Sequence, residues 1–251
     1  MGVRFSYENH ADGAALTASS QEAAMPAANV QDPRPTVVWR ATGCSSEHIV
    51  LDLGAAKPVS VIALLGFNFT SGAQLSLQAN SSDSWTSPPF DESLGYHADI
   101  IIKYFSQTSY RYWRLLVADS GNPDGYIQAG RVWLGSLFEP ARDISSDFSL
   151  RRVDPSSVVY SDSGSRIVAC RTPYRLLQLR LPSTNEKPDF DALLGAVGKS
   201  GDFIVSLDPT NSVWQDGLHN YTVYCHLADD PEWIHRVGDR WSLRLTLRET
   251  I

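Results

Sequence analysis

YRYWRLLVADSGNPDGYIQAGRVWLG, from Tyr110 to Gly135, decides how this chain is read. Within it Tyr112, Arg114, Leu116 and Ala118 alternate with Trp113, Leu115 and Val117. A period of two, dense in β-forming residues, predicts a strand with one buried face. The run from Asp119 to Gly125, DSGNPDG, supplies turn residues, and Ile127 to Leu134 resumes apolar strand character. The chain therefore builds sheet here.

The same pattern extends upstream. Strands are predicted at 37–40, 48–53, 59–65, 74–78 and 99–104, besides 112–117 and 127–134. Short strands separated by Gly, Pro, Ser and Asn suggest a β-sandwich or jelly roll. The alanine-rich segment 11–28 fits a short helix or an arm equally well. Downstream, residues 138–147 carry a proline, charges and a serine pair, and read as a seam between a first domain, 1–138, and a second, 146–251.

Past the seam, strands are predicted at 148–153, 158–160, 166–170, 176–181, 203–207, 221–227 and 240–248. One helix is predicted near 185–198. Ser183-Thr184-Asn185-Glu186 fits a capping box, Phe190, Leu193, Leu194 and Val197 share one helical face, and Gly198 is a stop. In the last strand Trp241, Leu243, Leu245 and Leu247 alternate with Ser242, Arg244, Thr246 and Arg248, whose side is expected to face solvent in preference to a neighbouring subunit. The fold class expected is all-β.

Composition narrows the function. The chain has 251 residues, 43% hydrophobic and 20% charged, enough for one large or two ordinary cores. A net charge of −7 leaves no basic excess to displace the counterions of a nucleic acid. No apolar run approaches the roughly 20 residues of a membrane span. The first ten residues contain no apolar core of a signal peptide, so Cys44, Cys170 and Cys225 are expected to be reduced thiols in a protein made in the cytosol. The sequons at Asn68, Asn80 and Asn220 are then expected to stay unmodified.

Three pieces of the first half resemble the discoidin (coagulation-factor C-type, galactose-binding-like) family, over roughly residues 15–136. They are ANVQDPRPTVVWR from Ala28 to Arg40, EHIVLDLG from Glu47 to Gly54 with the apolar run to Leu64, and the Tyr112–Leu115 strand with its Arg131–Gly135 partner. The chain departs from the family at Ala129-Gly130, where members often carry a glutamate sometimes tied to calcium. That departure counts against a structural calcium at Asp32.

A narrower set of features is similar to tail and baseplate proteins of bacteriophages and prophages. These are IALLGFNFTSGA from Ile62 to Ala73, NPDGYIQAGR from Asn122 to Arg131, Arg152-Val153-Asp154-Pro155-Ser156, FIVSLDP from Phe203 to Pro209, and the closing amphipathic strand. The resemblance implies an N-terminal galactose-binding-like jelly-roll β-sandwich, then a second β-rich domain, sandwich or barrel, carrying one helix. It implies a structural subunit of a tail tip or baseplate, made in the bacterial host cytoplasm and carried in the virion. Its partners would be other tail subunits, copies of itself in a ring, and host-surface glycan. The alternative is a stand-alone bacterial carbohydrate-binding protein.

Catalytic and metal motifs are missing from the same sequence. His10, His48, His97, His219, His226 and His235 form no H-x-x-x-H or HExxH pair, and no cysteines have zinc spacing. Adjacent Cys225 and His226 leave a strand on opposite faces. No metal and no cofactor is expected. There is no nucleophile elbow, P-loop or dinucleotide fingerprint. The carboxylate pairs Asp91-Glu92, Asp189/Asp191 and Asp229-Asp230 read as loop, helix-start and turn acids, so no enzyme is expected.

Aromatic residues give the contact candidates. Trp113, Trp133 and Trp241 lie in strands and are assigned to the core. Trp85 lies in a Ser/Pro-rich loop, where its indole either stacks on a sugar or a protein neighbour or folds back onto its own domain. Tyr96, His97 and Asn68 join it as candidate ligand contacts near the loop end of the sandwich. Trp214 and Trp233 are loop aromatics of the same kind in the second half.

Overall fold

The computed structural model describes residues 2–145 and 147–251. Met1, and Ser146 where the second domain is expected to begin, lie outside the described residues. The first half runs β1 (Arg4–Ser6), β2 (Ala15–Ala18), β3 (Trp39–Arg40), β4 (Glu47–Leu65), β5 (Gln74–Asn80), β6 (Phe90–Leu94), β7 (Ile101–Ala118), β8 (Gln128–Ala129) and β9 (Arg131–Gly135). The second runs β10 (Ser149–Val153), β11 (Ser157–Tyr160), β12 (Arg166–Ala169), β13 (Tyr174–Thr184), α1 (Lys187–Val197), β14 (Phe203–Ser206), α2 (Gly217–Asn220), β15 (Thr222–Leu227), β16 (Glu232–Val237) and β17 (Arg240–Glu249). The chain is all-β in class, with helix confined to α1, α2 and short 3₁₀ turns.

In the first half an antiparallel sheet has the order β2-β4-β7-β5-β6, with β9 also paired to β4. The pattern read in 112–118 holds: Trp113, Leu115 and Val117 are buried, and the residues between them are partly exposed. Strands 48–53 and 59–65, expected as two, form the single strand β4. Residues 54–58 read as a break, but register slips between Asp52 and Lys57 and between Val59 and Val61 absorb them. Bulges bend a strand without ending it. Strands 99–104 and 112–117 likewise merge into β7. Conversely, 127–134 splits into β8 and β9 at Gly130, where a Cβ would sit 2.0 Å from the Pro35 carbonyl oxygen. The 11–28 segment is neither helix nor arm as a whole; it holds the strand β2, which pairs with β4.

Where β9 meets the end of β4 and the start of β7, this sheet is buried on both faces. Ile62, Leu64, Val132 and Leu134 face the sandwich core together with Trp39, Trp113, Leu75 and Leu77. Val61, Ala63, Ile102 and Trp133 face the opposite way, into a core shared with the second half. That explains the near-continuous apolar run at 59–65, which is the signature of a strand with no wet face.

The second half is an open antiparallel sheet, β1-β14-β15-β17-β13-β10, with β16 paired to β17. Its first strand comes from the other end of the chain. Although residues 1–138 were expected to keep together, Arg4, Phe5 and Ser6 pair with Ser206, Val205 and Ile204. Phe5 also exchanges backbone hydrogen bonds with Phe138, at 2.9 and 2.7 Å. The indole N–H of Trp133 donates to Ser6 Oγ at 2.8 Å, and the Tyr224 hydroxyl donates to the Pro33 carbonyl at 3.0 Å.

Helix α1 falls within the expected 185–198 and buries Phe190, Leu193 and Val197 against this shared core. Gly198 ends it, as read from the sequence, with φ 53° and its N–H on the Leu194 carbonyl. The capping box is not formed. Thr184 exchanges hydrogen bonds with Glu186 instead, Glu186 occupies the N-cap, and Ser183 is left at positive φ. Trp241 is a second correction. A register shift between Leu181 and Thr184 interrupts the β13–β17 ladder, and Trp241 lies half-exposed against His235 while Leu243, Leu245 and Leu247 are buried.

Trp133 joins the two halves through packing and a hydrogen bond. Trp133→Ala is expected to lower unfolding stability by about 3–5 kcal/mol, the range for truncating a buried aromatic residue. Urea titration followed by circular dichroism measures it, and a loss below about 1 kcal/mol would contradict a shared core.

Candidate functional site

The four contact candidates part company in the fold. Trp85 folds back onto its own sheet: its indole lies over the Arg114 guanidinium, 4.6 Å from charge centre to ring centroid, and its N–H donates to Asp83 at 2.7 Å. Asn68 is committed to the backbone. Its amide donates to Asp124 and to the Tyr126 carbonyl and accepts from the Gln128 N–H, at 2.9, 3.0 and 2.8 Å. That bracket ties the turn after β4 to the turn before β8. The loop aromatic Trp214 likewise packs inward, 4.3 Å from the Tyr221 ring, and Trp233 donates to Asp191.

Tyr96 and His97 lie together on the loop between β6 and β7, beside a groove of about 720 Å³ between the two halves. The first half supplies one wall with Phe67, Ala98 and Asp99. The second supplies the other with Arg152, Tyr174 and Arg175. Phe67 stacks on Phe69 at 4.9 Å and meets Tyr96 edge-on at 6.5 Å, so the ring in the first wall is braced from behind. On the second, Tyr174 lies under the Arg248 guanidinium at 4.0 Å. Arg175 is held by Glu249, its Nε donating at 2.8 Å and its backbone N–H at 2.7 Å. These walls are pre-formed.

At the rim of the groove, loops from both halves meet. His97 and His219 stack with centroids 3.9 Å apart and planes 1° from parallel, and Asp216 reaches both. The His219 hydrogen bond holds the Asp216 carboxyl below its ordinary range. Spacing predicts no metal site, because His97 is remote in sequence from the other two. The remaining signal was local: Asp216 and His219 stand three apart around the short helix α2, which places both on one side.

The loop that carries Asp216 is held from within. Buried Asp208 accepts from the backbone N–H groups of Ser212, Val213 and Trp214, each at 3.0 Å. Gly217 has to be glycine, since a Cβ there would lie 2.1 Å from Asp208 Oδ2. Burial pushes the Asp208 carboxyl up, but these donors and the Ser212 hydroxyl outweigh it and hold it below its ordinary 3.8.

The acid pairs weighed from the sequence do not converge on a shared cleft. Asp91 accepts from Gln78, Glu92 from Lys103, Asp191 from Lys187 and Trp233, and Asp230 pairs with Lys199. Asp32 is taken by Arg34, whose side chain grips it at 2.8 and 2.7 Å and lowers its carboxyl to about 2.

No family model matches the sequence, and no curated protein matches it. Solved structures similar in shape include carbohydrate-binding modules. One is chitosan-binding module 1 of a chitosanase/glucanase from Paenibacillus sp. IK-5, at 22% identity and a TM-score of 0.43, covering 52% of this chain and 100% of that one. Another is a Clostridium perfringens module in complex with GalNAc-β-1,3-galactose, at 14% identity and 0.42, covering 51% and 100%. A third is a Streptococcus pneumoniae fucose-binding module, at 11% identity and 0.42, covering 51% and 95%. At such identities and scores the likenesses do not establish a shared ligand.

Asp208→Asn is expected to cost about 2–3 kcal/mol at neutral pH, because backbone donors lose a charged acceptor. A depressed carboxyl stabilises the fold fully above its unfolded value of 3.8, and that contribution is lost as the pH falls through the folded value. The gap between variant and parent should therefore close in acid. Denaturation curves at neutral and strongly acidic pH test this; a gap constant with pH would refute it.

Proposed function

We propose that the protein is a non-catalytic contact protein whose groove between the two halves binds an oligosaccharide. The observation that carries this reading is the groove itself, lined by Phe67 and Tyr174, each ring with one face already packed on Phe69 or Arg248, beside the polar groups of Arg152, Arg175, Asp99 and Asn220. A pyranose presents an apolar C–H face that packs on aromatic rings and a rim of hydroxyls that need fixed donors and acceptors. Glycan-array screening followed by calorimetry tests it. Tyr174→Ala should weaken binding about tenfold or more, whereas Trp85→Ala, remote from the groove, should leave it unchanged. Binding lost with Trp85 and retained without Tyr174 would move the site elsewhere.

A second reading, a subunit of a phage tail tip made in the host cytoplasm and carried in the virion, is favoured by one other feature. Among the described residues, strands β11 and β12 pair with each other alone and form an exposed hairpin. Val159, Tyr160 and Ile167 on it are 60%, 67% and 61% exposed. A lone two-stranded hairpin is marginal in water, and apolar exposure of this kind marks a contact surface. The occupant that fits is a second copy of the chain. The hairpin, residues 157–169, carries one arginine and one aspartate and so offers a like surface an apolar face with no net charge to repel it. Light scattering should find a ring-sized oligomer that Val159→Asp with Ile167→Asp reduces to monomer. A parent protein that is monomeric at all concentrations would end this reading.

A further inference from the structure

The cluster at the groove rim is built from three side chains that have no role in the sugar reading. His97 Nε2 lies 3.3 Å from one oxygen of Asp216, and His219 Nδ1 lies 2.5 Å from the other. One ligand atom from each residue falls within 4.8 Å of the other two. We propose that His97, Asp216 and His219 bind one divalent transition-metal ion of the zinc type, clamping the two halves together. The proposal does not depend on the groove binding a sugar.

The donor set selects the ion. Two imidazole nitrogens and one carboxylate suit zinc and its neighbours, whereas calcium and magnesium take oxygen ligands throughout. Zinc bonds of about 2.0–2.2 Å set neighbouring tetrahedral ligand atoms roughly 3.3–3.5 Å apart. The His97–Asp216 distance already meets that. The His219 ring has to withdraw from Asp216 by about 1 Å and turn out of its parallel stack on His97, so that the lone pairs of both rings converge on the ion. Three protein ligands leave a fourth position to water or to a group entering the groove, which His219 also lines.

Two backbone observations show that the site is held in shape. Asp216 is a non-glycine residue in left-handed conformation, φ 51° and ψ 39°. Such a residue persists only when its surroundings enforce it, and these outliers gather at functional sites. The surroundings here are the Asp208 carboxylate packed against Gly217, and Asn211, itself at φ 54°, whose side chain accepts from the Leu218 N–H at 2.6 Å. On the opposite wall the Asp99 N–H approaches His97 Nδ1 at 3.3 Å. With a metal on Nε2 the neutral ring carries its proton on Nδ1, so that contact is given up. At this length it is a weak bond to lose.

Calorimetry of the chelator-treated full chain with Zn²⁺ tests the site, with Co²⁺ absorption reporting the ligands. One equivalent should bind saturably, with cobalt d–d bands and no thiolate charge-transfer band, which separates the cluster from Cys44 and Cys170. His97→Ala and His219→Ala should each weaken binding by at least about tenfold. His235→Ala, whose ring bonds to the Gly238 carbonyl elsewhere, should not. Gly217→Ala should weaken binding without removing a ligand, because it displaces the loop. Circular dichroism confirms that each variant is folded. Absence of saturable binding, equal affinity in the two histidine variants and the parent, or a thiolate band would overturn the proposal.

Discussion

Val61, Ala63, Ile102 and Trp133 project from the central sheet toward the second half, while their neighbours Ile62, Leu64, Val132 and Leu134 project into the sandwich core. A strand with one wet face is held in register by its pattern, since slipping one residue exchanges its apolar and polar sides. Here both sides are apolar, so that penalty is weak and shape has to set the register. Two contacts do so. The Trp133 indole reaches Ser6, and Gly135 lies where a Cβ would be 2.4 Å from the Glu8 carbonyl oxygen. Both tie β9 to the N-terminal segment, whose first strand completes the second sheet. The sandwich and the second sheet are therefore fixed to each other by the same residues that fix the ladder.

This arrangement explains which parts of the fold were legible. Residues 112–118 and 243–247 alternate because one side of each strand is buried and the other is partly or largely exposed, and those readings hold. Helix α1 announced itself by its apolar face and its glycine stop. The failures share a cause. A three-residue strand, Arg4–Ser6, offers no period to read, and its pairing partner lies some two hundred residues away. Bulges at 52–61 let glycine and proline sit inside a strand, where the same residues normally mark its end. Trp241 looked like core because it keeps step with three leucines, but beside the register shift in its partner strand it is only partly buried.

The candidate site was half legible for a related reason. Tyr96 and His97 stood out as a loop aromatic and a loop imidazole, and their loop runs on into Ala98 and Asp99, which line the groove. Trp85 and Asn68 were of the same residue types, but a nearby Arg114 and two nearby turns claim them first. Residue type shows what a side chain could bind and is silent on what its own protein already gives it. His219 and Asp216 were passed over because neither forms a motif with anything close in sequence. Only the packing of the two halves brings His97 over them.

That packing also separates two kinds of surface. Groove and histidine cluster lie at a seam whose two sides share one core, so their walls are set before any ligand arrives and little ordering cost remains to be met on binding. The β11–β12 hairpin has no such support. Its apolar residues are exposed and belong to neither buried core, and among the described residues its strands pair with each other alone. A small ligand with a few polar groups needs the first kind of surface, where a displacement of 1 Å matters. A large partner that buries whole strands tolerates the second, because the partner itself supplies the missing layer. The molecule is thus rigid where its chemistry is concentrated and unsupported where its exposed apolar area is, a division that follows from which strands the central sheet can reach.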